Sequence, residues 1–372
     1  MSARQRARSR GFTLTELLIS LVLGLFVVGG VLSVFLGGLE TFRTTDSLSR
    51  IQESGRFALE LMRRDLREAG YTGCRRTLRP ELPRGTGPLD PGLVRNTLRP
   101  APSGGADALA FAFSFGDAVM GYEATGDGTG TSWVAGDGTM PTVASNALIT
   151  DALDDSDILI VVVARGAGVG VVSHPADTDP IVVEPGSGLA AGDHVFVTDC
   201  VSGAVMEVTG VSSTGGNDEL AHVDAAGNPG NYTPALGRSF DTSGAEEVFA
   251  IERTAYYIAD SPLTGRRSLF RNDQAIADNV EDLQVRYGVD TTADNRVDQY
   301  VTAAGMAGPP GFPWDDVVAV RVNLRISSGE ENNITEQPVT LNYDGTTFTA
   351  DADDLRLHQV FTATVGLRNR LP

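Results

Sequence analysis

The stretch Gly11-Phe12-Thr13-Leu14-Thr15-Glu16-Leu17 decides the architecture of this chain, because it opens an apolar run that reaches Leu39. Four arginines precede it, and Glu16 is the only charged residue within the run. Basic residues before an apolar span hold that end in the cytoplasm, so the run predicts a membrane helix with the remainder of the chain outside. A charge at the centre of a membrane helix costs roughly 2.5 kcal/mol or more, so Glu16 requires a functional partner.

The same block, behind its short arginine-rich leader, resembles the class III signal of type IV prepilins and of type II secretion pseudopilins. The resemblance implies cleavage between Gly11 and Phe12 by a prepilin peptidase, N-methylation of Phe12, and pairing of Glu16 with the amine of a neighbouring subunit. Thr15 departs from the aliphatic residue that is common at its place. An uncleaved signal anchor and an ordinary secretory signal are the alternatives. A secretory signal has a core of ~7–15 apolar residues and an A-x-A-like site, whereas this run is longer and lacks that site.

Beyond Leu39 the helical pattern continues in an amphipathic form. Apolar or small residues recur at three- and four-residue steps, at Leu48, Ile51, Gly55, Ala58, Met62, Leu66 and Ala69. Gly70 and Gly73 then end the pattern. The sequence predicts one helix over residues 12–69, ~85 Å long at ~1.5 Å per residue. Its transmembrane half is 12–39 and its periplasmic, amphipathic half is 40–73, after a cytoplasmic leader at 1–11.

Acidic residues alternate with arginines along the second half of the predicted helix, at Glu60, Asp65 and Glu68. This pattern favours ion pairs within the helix and between subunits over a stripe that binds nucleic acid. The formal net charge of the chain is −19 at pH 7, which repels nucleic acid as a whole. We therefore expect a membrane-associated protein without a nucleic-acid partner.

Residues 74–372 are predicted to form a β-rich head. Apolar and polar residues alternate over 317–326, and strand patterns recur at 361–367, 283–289, 255–258, 109–115 and 158–164. Loops rich in Gly, Asp, Ser and Thr are expected at 80–107, 123–156, 173–193 and 212–246, which makes about 80–245 a loop-rich insertion region. The predicted fold class is α+β, with a long helix packed against an antiparallel sheet in the manner of pilins.

Only two cysteines occur, Cys74 just past the predicted helix and Cys200 at the end of an apolar stretch. In an oxidising periplasm, two cysteines most simply form one disulfide. Such a bond would join the end of the helix to the sheet. A disulfide that closes a loop of this length stabilises the folded chain by on the order of 4–5 kcal/mol.

The sequence offers little enzymatic chemistry, and we predict no catalytic residue. Gly166, Gly168 and Gly170 follow a predicted strand, but their spacing does not match a dinucleotide-binding loop, so a tight β-turn is expected. The four histidines are scattered and are expected at the surface or in strands: His174, His194, His222 and His358.

Three aspartates, Asp290, Asp294 and Asp298, gather in one predicted loop and could hold Ca²⁺. The loop lacks the spacing, the glycine and the terminal glutamate of an EF-hand. A solvated turn in which the carboxylates cap backbone groups is therefore favoured, with calcium as the alternative. No other cofactor is expected.

Several blocks narrow the resemblance to the PilW-type minor pilins. They are Gln52-Glu-Ser-Gly-Arg-Phe57, Arg64-Asp-Leu-Arg-Glu-Ala-Gly70-Tyr71-x-Gly73-Cys74, Phe115-Gly-x5-Tyr122-Glu123, Val280-Glu-Asp-Leu-Gln-Val-Arg-Tyr287-Gly-Val-Asp290, Trp314-x2-Val317-Val-Ala-Val-Arg-Val322 and Phe361-Thr-x-Thr-Val-x-Leu-Arg-Asn369. The resemblance implies a low-abundance subunit that helps to start pilus assembly in the inner membrane and sits near the pilus tip, supporting twitching motility and adhesion.

The implied partners are other minor pilins, the major pilin, a tip adhesin, the prepilin peptidase and the inner-membrane assembly platform. The implied location is a single pass through the inner membrane with a periplasmic head, followed by the extracellular pilus. Two alternatives stay open: a minor pseudopilin of a type II secretion system, and a surface adhesin or calcium-dependent binding module that uses a pilin anchor for display.

Overall fold

The computed structural model describes residues 13–71, 79–80, 87–98, 118–126, 133–135, 138–139, 149, 151–224, 230–241, 244–307, 311–329 and 334–369. Helix α1 (Leu14–Glu68) is continuous, which confirms the long N-terminal helix. Its buried residues lie only in the second half, from Ser47 to Leu66. The first half is long and apolar enough to cross a membrane, and its most apolar window is entirely unburied. The first half of the helix therefore projects from the head with its apolar side chains exposed.

The described part of the head is mainly strands. In chain order they are β1 (Arg79–Pro80), β2 (Leu93–Asn96), β3 (Val119–Ala124), β4 (Trp133–Ala135), β5 (Gly138–Thr139), β6 (Ile158–Ser173), β7 (Ile181–Val183), β8 (His194–Thr198), β9 (Gly203–Glu207), β10 (Gly210–Thr214), β11 (Asn217–Ala221), β12 (Glu247–Asp260), β13 (Arg267–Arg271), β14 (Gln274–Asp278), β15 (Val280–Val289), β16 (Gln299–Val301), β17 (Val317–Ser327), β18 (Thr340–Tyr343), β19 (Thr346–Thr349) and β20 (His358–Gly366). A short helix, α2 (Ala303–Ala307), and a 3-10 turn at Trp314–Asp316 precede β17.

The largest sheet runs in the order β1-β2-β9-β8-β12-β6-β3-β4-β5, with β7, β10, β11, β13 and β14 attached beside this path. A second sheet has the order β16-β15-β17-β20, and β18 pairs with β19 alone among the described strands. The pairs are antiparallel as predicted, except that β2 is parallel to both β1 and β9. Distant segments of the chain therefore meet within the larger sheet.

The main core joins the second half of α1 to both sheets. Ile51, Ala58, Met62 and Leu66 of the helix are buried against residues such as Val163 of β6. Full burial of an aliphatic side chain stabilises by about 1.5–3 kcal/mol, so these residues hold the helix on the head. The predicted apolar face is confirmed, apart from Leu48, which is exposed.

The tight turn predicted at residues 166–170 is wrong, because β6 continues through this segment to Ser173. Gly170 and Val169 pair with β12. A Cβ atom on Gly168 would lie 2.8 Å from the Phe249 ring, so a small residue is needed for close approach of the two strands. Gly168 therefore serves close packing between β6 and β12.

The region expected to be rich in loops contains a second hydrophobic core. Strand β7 lies within the predicted loop 173–193, and β11 lies within the predicted loop 212–246. Strand β2 lies within the predicted loop 80–107, and β4 and β5 lie within the predicted loop 123–156, so all four loop predictions are partly wrong. The second core is built from Ile181, Val183, Val195, Val197, Ala204, Met206, Val208, Leu220, Leu236, Phe240 and Val248. The strand predicted at 109–115 lies outside the described residues. Short strands with polar outer faces escaped detection because their alternation spans few residues.

Candidate assembly site

The start of α1 holds the carboxylate of Glu16 in a capping box. The Thr13 backbone N–H donates to Glu16 Oε2 at 3.0 Å, and the Thr13 hydroxyl donates to the same oxygen at 2.9 Å. In return, Glu16 N–H donates to Thr13 Oγ1 at 3.3 Å. Such a reciprocal cap satisfies backbone donors that have no partner inside the helix. Glu16 thus has a partner within its own chain; Gly11 and Phe12 lie outside the described residues.

A buried ionic group adds to the apolar packing that holds the helix on the head. Asp65 Oδ2 accepts from the Tyr256 hydroxyl at 2.7 Å and from Arg271 Nε at 2.9 Å, and Arg271 Nη2 lies 2.9 Å from the same oxygen. Burial and then the Asp65 charge raise the pKa of Tyr256, so the phenol stays protonated and donates. Charge-assisted bonds of this kind are about twice as strong as neutral ones.

Asp65 departs from the predicted ion pairing within the helix and between subunits, because its partner Arg271 lies in the head of the same chain. The surface pairs Arg50–Asp46, Arg63–Glu60 and Arg64–Glu68 do occur, at 3.0, 3.9 and 3.6 Å. Asp65, however, shares the buried face of Ala58 and Met62, seven and three residues before it. The burial of Asp65 could be inferred from its spacing to the apolar positions, since residues seven apart lie on one helix face.

The C-terminal end of α1, which is farthest from its apolar half and is called the upper end, is hydrogen-bonded to other segments of the head. The Asn369 side-chain amide donates to the carbonyl of Ala69 at 2.9 Å, and Gly70 N–H donates to the Val162 carbonyl at 3.0 Å. A Cβ atom on Gly55 would lie 2.6 Å from the Phe361 ring of β20, so the last strand sits directly on the helix. The C-terminal segment therefore helps to fix the direction in which the helix leaves the head.

The outer face of the same half carries an exposed aromatic ring. Phe57 is 55% exposed, whereas the helix residues on the opposite face, such as Ala58 and Met62, are buried. An apolar ring in this position is available to another helix.

Cys200 lies in the turn between β8 and β9 and has a positive φ of 67°. Its N–H donates to Thr198 Oγ1 at 3.1 Å, and Asp199 Oδ1 accepts from the N–H groups of Val201 and Ser202 at 2.9 and 2.8 Å. Cys74 lies outside the described residues. The disulfide between Cys74 and Cys200 stays a prediction.

The aspartates of the loop after β15 cap backbone groups, which is the interpretation that the sequence favours. Asp290 accepts from the N–H groups of Thr292, Asp294 and Asn295 at 3.0, 3.3 and 2.6 Å. Partial burial raises the pKa of Asp290, but these bonds outweigh it and leave the pKa lowered. Asp298 accepts from the hydroxyl and N–H of Thr291, which lower its pKa. Within the described ranges, no group of three acidic, histidine or cysteine side chains could hold a metal ion. Calcium binding stays a prediction.

Two of the histidines are brought together, although they are 48 positions apart in sequence. The His174 and His222 rings lie 5.8 Å apart, and both residues are buried outside the strands, so the expectation of a surface or strand position is wrong for these two. His194 and His358 do lie in strands, β8 and β20. Phe240 N–H donates to His174 Nδ1 at 3.0 Å, so that nitrogen carries no proton. Burial, followed by the neighbouring His222, lowers the pKa of His174 to about 4. The two imidazole rings are therefore uncharged at neutral pH and pack beside Phe240 in the second core.

Comparison with known families matches the chain in two places. Residues 6–32 match the prokaryotic N-terminal methylation motif, and residues 251–369 match type IV pilus-assembly protein W, the PilW family. No curated protein and no solved structure matches the chain. The blocks at 52–74 and at Phe115-Gly-x5-Tyr122-Glu123 fall outside the matched ranges. Together with the apolar N-terminal helix and the strand-rich head, the two matches support a similarity of this chain to the PilW-type minor pilins of the type IV pilus.

Proposed function

We propose that this protein helps to initiate assembly of a type IV pilus and sits at or near the pilus tip. The observation that carries the proposal is the first half of α1, which is apolar, unburied, and carries Glu16 as its only charge. An apolar helix of this length must be covered either by lipid or by other helices. A subunit that passes from the membrane into a filament meets both environments in turn.

Glu16 has a different partner in each of these two environments. In the single subunit, its carboxylate is held by Thr13. In the filament, the proposed partner is the amine of a processed Phe12 from a neighbour. A buried charge left without a partner is strongly destabilising, so this pairing would favour correct axial alignment of subunits.

Two substitutions separate the charge of Glu16 from its role as a cap. In Glu16→Gln, the amide oxygen can still accept from Thr13, but the charge is lost; Glu16→Ala loses both. We expect both variants to be cleaved at Gly11 and to reduce pilus initiation strongly, while Glu40→Gln, a matched change at the far end of the apolar half, has little effect. Cleavage is read from the mass of the purified chain and initiation from surface piliation. Normal piliation with Glu16→Gln would refute the charge-pairing mechanism.

The proposed topology has a cytoplasmic N-terminus, one membrane pass and a periplasmic head that later reaches the cell exterior. The proposed partners are other minor pilins, the major pilin, a tip adhesin, the prepilin peptidase and the assembly platform, with twitching motility and adhesion as the outcome. The protein acts in this scheme as a structural subunit. Co-purification of the intact complex from membranes tests the partners, and recovery of secretion-system subunits instead would favour the type II pseudopilin alternative.

Phe57 supports contact between subunits along the second half of the helix. Its ring is exposed, between the surface pairs that involve Arg50 and Glu60. Phe57→Ser should therefore weaken co-purification of partner pilins and leave the unfolding transition of the isolated chain in place. Unchanged co-purification would exclude this face from the assembly.

A further inference from the structure

Among the described residues of the head, one large apolar side chain is far more exposed than the others. Leu263, in the turn between β12 and β13, is 92% exposed, whereas the most exposed large apolar residue of the described part of α1, Val34, is 78% exposed. The turn is closed by Ser261 N–H donating to the Arg266 carbonyl at 2.8 Å and by Gly265 N–H donating to the Ser261 carbonyl at 2.7 Å. The side chain is therefore held outside the head by a hydrogen-bonded tip.

The tip points toward the membrane end of the helix. At the upper end of α1, Gly70 bonds to Val162, which pairs with Arg253 of β12. Lower on the helix, Asp65 bonds to Tyr256. Strand β12 thus runs alongside α1 toward the apolar half of the helix as its residue numbers rise.

The end of this hairpin faces the lower part of the helix. Arg266 and Asp278 line a groove together with Asp46, Arg50 and Ser54 of α1. The groove therefore carries two arginines and two aspartates, so its charge is balanced although the whole chain carries −19. An anionic lipid surface is not repelled by such a region, as it would be by an acidic one.

The distance along α1 from the end of its apolar run to the groove is comparable to the thickness of a bilayer headgroup layer. Asp46 lies seven residues after Leu39, where the apolar run ends, which is ~10 Å along a helix. The headgroup layer adds ~5–8 Å on each side of the hydrocarbon core. The turn closed between Ser261 and Arg266 places Leu263 at its outer end, beyond Arg266 in the direction in which β12 runs. The Leu263 side chain can therefore reach the headgroup boundary.

We propose that the Leu263 tip is a second membrane contact, which inserts into the interfacial layer and fixes the angle between the head and the bilayer before assembly. This inference rests on the proposed membrane-anchored orientation. A single leucine would bind a membrane weakly on its own. Here α1 already holds the tip at the surface, so contact is intramolecular and is favoured by the high effective concentration.

The contact can be tested with a photoreactive residue in the full chain. Benzoylphenylalanine replaces Leu263, Phe26 or Val223 in separate variants, which are reconstituted in vesicles of phosphatidylethanolamine and phosphatidylglycerol. Phe26 lies in the apolar half of α1 and reports insertion of the helix. Val223 is 55% exposed and follows β11. Strand β11 pairs with β7, and β7 pairs with the end of β6 that continues past the contact of Val162 with Gly70, so Val223 lies away from the membrane half of α1 and is the matched control.

After irradiation, lipid adducts are measured by mass spectrometry of the intact chain. We expect adducts at positions 26 and 263, with severalfold fewer at 223. Adducts at 26 without an excess at 263 would overturn the second contact and leave the anchor standing. Cross-links from 263 mainly to a second copy of the chain would overturn it in favour of a contact between subunits. An absence of adducts at 26 would overturn the membrane-anchored orientation itself, and with it this inference.

Discussion

Replacing Asp65 by asparagine should loosen the helix from the head more than any other single change of charge on α1. The carboxylate accepts from Tyr256 and Arg271, and its side chain is only 5% exposed, with that of Arg271 at 21%. Asparagine removes the charge but nearly keeps the shape, which leaves the Arg271 guanidinium buried without its counter-ion. Breaking a buried pair in this way costs about 3–5 kcal/mol, and because Arg271 is partly exposed we expect a loss of about 3 kcal/mol.

The assay is urea unfolding of the full chain in detergent, followed by tryptophan fluorescence in a Trp133→Phe background, in which Trp314 of the main core is the remaining tryptophan. Tyr256→Phe removes one hydrogen bond to a charged group and should lower the free energy of unfolding by about 1.5–3 kcal/mol. The double variant with Asp65→Asn should lose less than the sum, because both changes act on one group.

A matched control is Glu60→Gln on the exposed face of the same helix, where the carboxylate lies 3.9 Å from Arg63. Surface pairs contribute little, so we expect a loss of about 0.5 kcal/mol or less. If Asp65→Asn were as mild as this control, the buried group would not be what fastens the helix, and apolar packing alone would carry the attachment.

Three further changes test separate parts of the structure. Gly55→Ala places a Cβ atom 2.6 Å from the Phe361 ring and should destabilise the chain by about 1–3 kcal/mol, with Phe361→Leu restoring much of the loss; equal stability of Gly55→Ala and the unaltered chain in urea would contradict the close contact. The folded pKa of His174 is about 4, below the usual 6.5, so its contribution is present above pH 6.5 and is lost as the pH falls toward 4; the loss is about 3 kcal/mol, and His174→Gln should flatten this dependence in unfolding measured from pH 7 to 4. If Cys74 and Cys200 form a disulfide, the unfolded chain should react with a maleimide only after reduction, and labelling without reductant would exclude the bond.

Local and periodic features of this chain were predictable because they depend on residues close in sequence. The helix followed from three- and four-residue spacing, and the strand at 317–326 followed from strict alternation; the structure has β17 at Val317–Ser327. The Asp290 loop followed from the tendency of aspartate to cap nearby N–H groups.

Features that depend on distant pairing were not accessible in the same way. His174 and His222 meet only because the second core folds around them, and nothing in either local sequence indicates the other. The partner of Asp65 is 206 positions away. The spacing showed that Asp65 faces the core, but only the fold shows that Arg271 meets it there.

The capping box at Thr13 changes how the charge of Glu16 should be understood. Taken alone, a carboxylate in an apolar helix demands a partner, and the neighbouring amine is the only one that the prepilin signal implies. The structure supplies a second partner within the same chain, at 2.9 and 3.0 Å. In the proposed function, a subunit waiting in the membrane would keep Glu16 hydrogen-bonded to Thr13, so its charge would not drive premature association. The proposed assembly step would then depend on the free-energy difference between the Thr13-bonded and amine-bonded states of Glu16, which is smaller than the full penalty of an unpaired charge. A modest difference would permit subunits to exchange until the correct neighbour is found.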